Sequence, residues 1–134
     1  MYLLDTVVLS EMRKRSPDES VVGWFARRDP ESLFVSTITI GEIERGAARQ
    51  RSQDPVFADA LSSWLERLLA DYGNRIIPVD IRIARCWGRL GAMVGHSGID
   101  LLIAATAIEH GFTVATRNVR HFVPTGVPVE NPFA

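Results

Sequence analysis

The sequence predicts an α/β fold, a three-layer α/β/α arrangement around a mostly parallel sheet. Two observations predict it. Short apolar runs of strand length alternate with longer stretches of helical periodicity, the pattern of strands joined by crossover helices. The chain also has the size and composition of one globular domain over residues 1–134, with 46% hydrophobic and 23% charged residues. In such sheets function gathers at the carboxyl ends of the strands, so acids at strand ends and helix starts are the residues to follow.

Taken in order, Tyr2-Leu3-Leu4 and Val7-Val8-Leu9 flank Asp5 and suggest a buried strand ending near the aspartate. Ser20 to Arg28 reads as a short amphipathic helix through Val21, Val22, Trp24 and Phe25, and Leu33–Ser36 as a second strand. A helical pattern runs from Thr39 to about Arg51. Asp54-Pro55 opens the next helix, with aspartate as N-cap and proline at the first helical position. Phe57, Leu61, Trp64, Leu65 and Leu68 then recur at spacings of three and four, and Gly73 ends the helix. Arg75–Val79 reads as a strand, and Asp80 caps a helix with Ile83, Trp87 and Leu90 inward. After the loop Gly95-His96-Ser97-Gly98, a helix from Asp100 to His110 stops at Gly111. Thr113–Thr116 and Val127–Val129 complete the strands.

Charge and cysteine content narrow the function. Fifteen basic against sixteen acidic side chains give a net charge of −1, which excludes a pervasively basic nucleic-acid binder but leaves room for a local basic groove. Lys14 is the only lysine, so the basic side chains are almost all arginine, the residue suited to bidentate phosphate contacts. Cys86 is the only cysteine, so neither an internal disulfide nor a cysteine zinc site can form. The opening Met1-Tyr2-Leu3-Leu4-Asp5 has no basic leader or cleavage site, and no apolar run approaches the ~20 residues that span a bilayer. A cytoplasmic protein without a membrane partner is expected.

Three acids lie outside any charged run: Asp5 after the first strand, Glu42 just after the second, and Asp100 at the start of the helix Leu101-Leu102-Ile103-Ala104-Ala105. Each also has a local reading. Thr39-x-x-Glu42 and Ser97-x-x-Asp100 fit the capping box, and Asp5 fits an Asx-turn. Together they point elsewhere, because a parallel fold brings all three to one sheet edge. Converging carboxylates repel unless protonated or paired with a cation. Magnesium and manganese prefer oxygen ligands, and acid clusters holding such ions hydrolyse phosphodiesters. Phosphate loops, dinucleotide-binding glycine motifs and nucleophile elbows are absent. His96, His110 and His121 lack a zinc-binding spacing, and His110 is placed to serve its helix C-terminus. A phosphate-accepting receiver domain shares the α/β pattern, but it needs a lysine beside the acids, and Lys14 lies beyond the first helical segment.

Four blocks then resemble a known family. Leu4-Asp5-Thr6-x-Val8-Leu9-Ser10-Glu11 is similar to the opening of PIN domains, specifically the VapC and FitB-like toxins of bacterial toxin–antitoxin pairs. Val35-Ser36-x-Ile38-Thr39-x-Gly41-Glu42-Ile43-x-Arg45-Gly46 resembles their second block, Asp100–Ala107 the third, and Ala115-Thr116-Arg117-Asn118-x-x-x-Phe122 the fourth; Asn131-Pro132-Phe133 also fits. The resemblance covers essentially the whole chain. It implies a PIN-like fold, RNA cleavage dependent on magnesium or manganese, homodimerisation, and inhibition by a VapB-like antitoxin. Asp5, Glu42 and Asp100 match the family's acids, and Thr6 matches a hydroxyl near the metal.

Two positions depart from the pattern. Val7 replaces a usual asparagine, and His121 stands where this branch carries a fourth acid. A histidine there removes one negative charge and predicts weaker magnesium binding with a preference for manganese; Asn118 or His121 is left as the neutral ligand available. On this reading Asp5 and Asp100 hold the metal, Glu42 completes the site and helps activate water, and Arg45, Arg49 and Arg117 contact RNA phosphates. Arg45 and Arg49 also fit a plain solvent-facing helix surface. The alternative function is a degenerate PIN domain that binds RNA or an antitoxin with little or no cleavage. A homodimer is expected, and the apolar stripe from Phe57 to Leu68 fits either its face or plain core packing within the domain.

Overall fold

The computed structural model describes residues 1–134. Strand β1 (Tyr2–Leu4) is followed by α1 (Thr6–Arg13) and α2 (Glu19–Ala26), then β2 (Leu33–Ser36), α3 (Thr37–Gln50) and α4 (Pro55–Tyr72). Strand β3 (Ile76–Ile77) leads to the paired helices α5 (Ile81–Val94) and α6 (Ile99–His110), then β4 (Thr113–Ala115), α7 (Val119–Phe122) and β5 (Val129–Glu130). The sheet has the order β3-β2-β1-β4-β5 and every pairing is parallel.

Alternation along the central strands sorts the core into two layers. Leu3 and Val114 point into a cluster with Ile83, Leu90, Ile103 and Phe122, beneath α5 and α6. Leu4 and Ala115 point to the other face, into a cluster with Val8, Trp24, Ile43, Leu65 and Leu68 from α1 to α4. Successive strand residues face opposite ways, so β1 and β4 separate two hydrophobic layers. Helix α6 is apolar around nearly its whole circumference, with Leu101, Ile103, Ala104, Ala105, Thr106 and Ala107 all buried, as expected of a helix enclosed by the fold.

Local signals hold where they act within one turn. Asp54 and Asp80 accept from the backbone N–H three residues ahead, Phe57 and Ile83, as N-caps of α4 and α5. Gly111 ends α6 at φ 72°, and Gly95 ends α5 at φ 94°, both left-handed positions that glycine takes without strain. Other boundaries differ. The first strand stops at Leu4, and Val7-Val8-Leu9 belong to α1, where packing of Val8 and Leu9 overrides the modest helix propensity of valine. Helix α3 begins at Thr37, capped by Ser36, so Thr39 is not a cap; its hydroxyl is buried without a partner. The last strand lies at Val129–Glu130 rather than Val127–Val129.

The stripe expected to face a second copy is largely covered within the chain. Leu65 and Leu68 are buried, and Trp64 packs against the same cluster as Ile43 of α3. No helix is long and apolar enough to cross a membrane.

Candidate active site

The chain runs from β1 to β2 and β3 on one side, then returns to β4 and β5 on the other. The carboxyl end of β1, beside β4, is therefore the point where the direction of winding reverses, the crevice in which open α/β sheets place their sites. Asp5 occupies it. Its backbone N–H donates to the Ala115 carbonyl at 2.9 Å, continuing the β1–β4 ladder, and its side chain caps α1.

Both Asp5 carboxylate oxygens are held. Oδ1 accepts from the Thr6 N–H at 2.9 Å, and Oδ2 accepts from the Thr116 hydroxyl at 2.8 Å. Thr116 is itself oriented, because its hydroxyl accepts from the Asn118 N–H at 2.9 Å. The Asp5 side chain is fixed by its chain neighbour Thr6 and by Thr116 just after β4, two positions that the sequence separates widely. An ionised carboxylate offers about four lone-pair positions, so two protein donors leave capacity for a further partner.

The other two acids converge on Asp5. Burial is the largest cause that raises its pKa above the ordinary value; the Thr116 and Thr6 hydrogen bonds oppose it, and the negative charges of Asp100 and then Glu42 add to it. Thr6 links two of them, since its N–H meets Asp5 and its hydroxyl donates to Glu42 Oε1 at 2.7 Å. Asp100, the second residue of α6, accepts or shares a proton with His121 Nδ1, 2.9 Å from its Oδ2.

Neither capping-box reading holds. Glu42 lies in the second turn of α3, where it meets Thr6 instead of a helix end, and α6 has Gly98 at its N-cap with no side-chain cap bond. With Glu42 turned to Thr6 and Asp100 to His121, no three acid, histidine or cysteine side chains stand close enough to hold a metal ion as they are. The donor set is nonetheless that of a hard cation: three carboxylates and two hydroxyls, with no lysine or arginine to neutralise Asp5. Lys14, the only lysine, is 2.8 Å from Glu11 at the opposite end of α1.

The accessory residues divide. Thr6 and His121 contact the acids directly, while Asn118 contributes its backbone N–H through Thr116. Arg45 and Arg49 lie on the face of α3 that carries Glu42, about 4.5 and 10.5 Å further along its axis at 1.5 Å per residue. Neither takes part in an ion pair. Arg117 turns away and lies over the Phe133 ring, 4.5 Å from its centroid, a cation–π contact that accounts for it structurally. Sequence reasoning missed Thr116 as a site residue; its signal was its position immediately after β4, the neighbour of the strand that carries Asp5.

Residues 2–123 match the PIN domain family. The chain belongs to that family. This PIN domain is 37% identical to the plasmid stability protein StbB of Pseudomonas syringae pv. tomato, over 99% of both chains. It is 35% identical to the VapC ribonuclease Y4jK of Sinorhizobium fredii, over 99% of this chain and 98% of that one. Among solved structures, FitAcB from Neisseria gonorrhoeae superposes with a TM-score of 0.87 at 34% identity, over 99% of both chains. FitAB bound to an IR36 DNA fragment gives 0.87 at 33% identity, over 100% of this chain and 96% of that one.

Proposed function

We propose that this PIN domain, acting as one unit over residues 1–134, is the toxin of a VapC/FitB-type toxin–antitoxin pair and hydrolyses RNA phosphodiester bonds with magnesium or manganese. The observation that carries the reading is the buried Asp5 carboxylate, set at the sheet's switch point, pressed by the charges of Asp100 and Glu42 and lacking a cationic side chain. Its relatives include proteins named VapC ribonuclease and toxin FitB.

Asp5 and Asp100 would hold the ion, with Glu42 completing the site. A divalent ion held there would supply charge stabilisation at the phosphoryl oxygens and activation of the attacking water. Thr116 and Thr6 keep Asp5 in one orientation, as the partners of metal-binding carboxylates do. His121, through Nδ1, orients Asp100, leaving Nε2 free to accept or coordinate. Arg45 and Arg49 contact successive phosphates along α3. Asn118 acts through its backbone, and Arg117 would reach RNA only by leaving Phe133.

The partners follow from the same site. A VapB-like antitoxin silences the enzyme by placing an arginine or lysine among the three carboxylates, and the resting protein is a homodimer. Because Trp64, Leu65 and Leu68 of the stripe pack into the chain's own core, the dimer surface is sought among exposed apolar side chains elsewhere. The protein acts in the cytoplasm.

The test is cleavage of a defined RNA by the purified protein with chelator, magnesium or manganese. Metal-dependent cleavage lost in Asp5→Ala supports the reading. RNA or antitoxin binding without cleavage under any ion establishes the degenerate, binding-only alternative, for which the His121–Asp100 contact is the motivating observation. Light scattering that gives a monomer mass at micromolar concentration rejects the dimer.

A further inference from the structure

Beside the acids lies a cleft of about 240 Å³, lined by Thr37, Ile38, Gly41, Glu42, Arg45 and Ile99. Two of its walls are the immediate chain neighbours of the site: Glu42 belongs to both, and Ile99 precedes Asp100 on α6. A strand drawn past the carboxylates would pass over this opening.

Gly41 lines it and has no reason within the chain to be glycine. It sits inside α3 with an ordinary helical backbone, since it is not among the positive-φ glycines. A Cβ built on it meets nothing within 4 Å. Glycine inside a helix is less stable than alanine, and here no turn, close approach or packing contact within the fold requires it. What its missing side chain provides is the open space of the cleft.

We infer that this cleft is a base-binding subsite for the nucleotide flanking the scissile phosphate in single-stranded RNA. The inference rests on the nuclease reading above. The cleft is smaller than the roughly 300–1,000 Å³ of typical small-molecule pockets, which suits one base rather than a folded ligand. Ile38 and Ile99 offer half-buried apolar flanks for the faces of a base. Arg45 also lines the cleft and is exposed without an acidic partner, free to take the next phosphate. An unpaired arginine beside an apolar slot matches the way single strands are bound, by base contact together with backbone neutralisation. The subsite selects the base at the cut.

The experiment compares Gly41→Leu and Gly41→Ala with Gly46→Ala. Gly46 lies further along α3, is also open above its Cα, and is outside the cleft. Cleavage of a randomised single-stranded RNA pool is read by sequencing the ends produced, with kcat and KM measured on one defined substrate. Filling a snug apolar slot typically discriminates by about 10-fold or more. Gly41→Leu should therefore raise KM by about that factor and flatten the base preference beside the cut, with kcat little changed. Gly41→Ala, which adds no clash and favours the helix, should shift both in the same direction by less, and Gly46→Ala should match the parent protein.

An unchanged KM and base profile in both Gly41 variants overturns the inference. So does a variant that cleaves normally but no longer retains a co-purifying partner, which would assign the cleft to a peptide. If the parent protein cleaves no RNA under any ion, the nuclease reading fails separately. Binding of the same RNA in chelator, followed by fluorescence anisotropy, then decides the subsite: weaker in Gly41→Leu supports it, equal in the two overturns it.

Discussion

Helix α1 carries a buried acid at each end, and the fold treats them in opposite ways. At its N-terminus Asp5 is 6% exposed and receives a hydroxyl and a backbone N–H but no cation. Near its C-terminus Glu11 is 7% exposed and is fully compensated: Oε1 accepts from the Lys14 ammonium at 2.8 Å, and Oε2 from the Asp18 N–H at 2.9 Å. The Lys14 and Asp18 hydrogen bonds hold the Glu11 carboxyl below its ordinary value, whereas burial and the charges of Asp100 and Glu42 push Asp5 above its own. The helix dipole alone would favour the opposite outcome, an anion stabilised at the N-terminus and disfavoured at the C-terminus. Burial outweighs it at Asp5, and the Lys14 and Asp18 hydrogen bonds outweigh it at Glu11. Glu11 behaves as a structural acid with its charge satisfied inside the chain. Asp5 has no cationic side chain of the chain beside it.

The contrast breaks most sharply at Asp5. Asp5→Asn should lower cleavage by at least about 100-fold, since even residues that only orient metal ligands cost 10–100-fold. The same variant should unfold at a higher temperature than the parent in chelator at neutral pH. The raised pKa means that the native state retains a proton that the unfolded chain releases near 3.8, so stability is lost as pH rises through the native pKa. Asparagine removes that loss. For the parent protein, divalent ion at about 100 times its Kd should restore about 2.7 kcal/mol at neutral pH, seen as a higher melting temperature, and should do so far less in Asp5→Asn. A parent protein whose melting temperature ignores divalent ions would break the comparison.

Thr116→Val tests whether the missed hydroxyl completes the Asp5 end, with a loss of about 10–100-fold in activity or metal affinity and the fold retained. His121→Asp adds a further uncompensated charge. It should raise magnesium-supported cleavage relative to manganese-supported cleavage, because hard cations depend on charged oxygen ligands. Equal magnesium and manganese rates, unchanged by the substitution, would remove His121 from the site.

At the other end of α1 the sign reverses and the effect is smallest. Glu11→Gln should leave cleavage per folded molecule unchanged and lower the melting temperature at neutral pH. A depressed carboxyl contributes stability above its unfolded value of 4.5, lost as pH falls through the native pKa. Parent and variant melting curves should therefore converge in acid, and a difference that persists there would mean that packing, not charge, decides the effect.

What the sequence determined by itself was local. The caps at Asp54 and Asp80 and the stop at Gly111 involve partners within four residues, so spacing alone reveals them. The alternation of strands and helices, and with it the parallel sheet, follows from periodicity, and the three acids stood out because apolar neighbours surround them. Tertiary structure decided what those acids do. Asp5 meets Thr116 across 111 positions, Glu42 meets Thr6 across 36, and Asp100 meets His121 across 21. No window along the chain shows which hydroxyl will lie against which carboxylate, because that depends on β4 pairing beside β1 and on α3 and α6 packing on opposite faces of the sheet. The same limit hid Glu11: its compensation by Lys14 is local, but its burial is not. Whether an acid is neutralised from within or left for an external cation is set by the charges and donors that the fold brings around it, and those come from distant parts of the sequence.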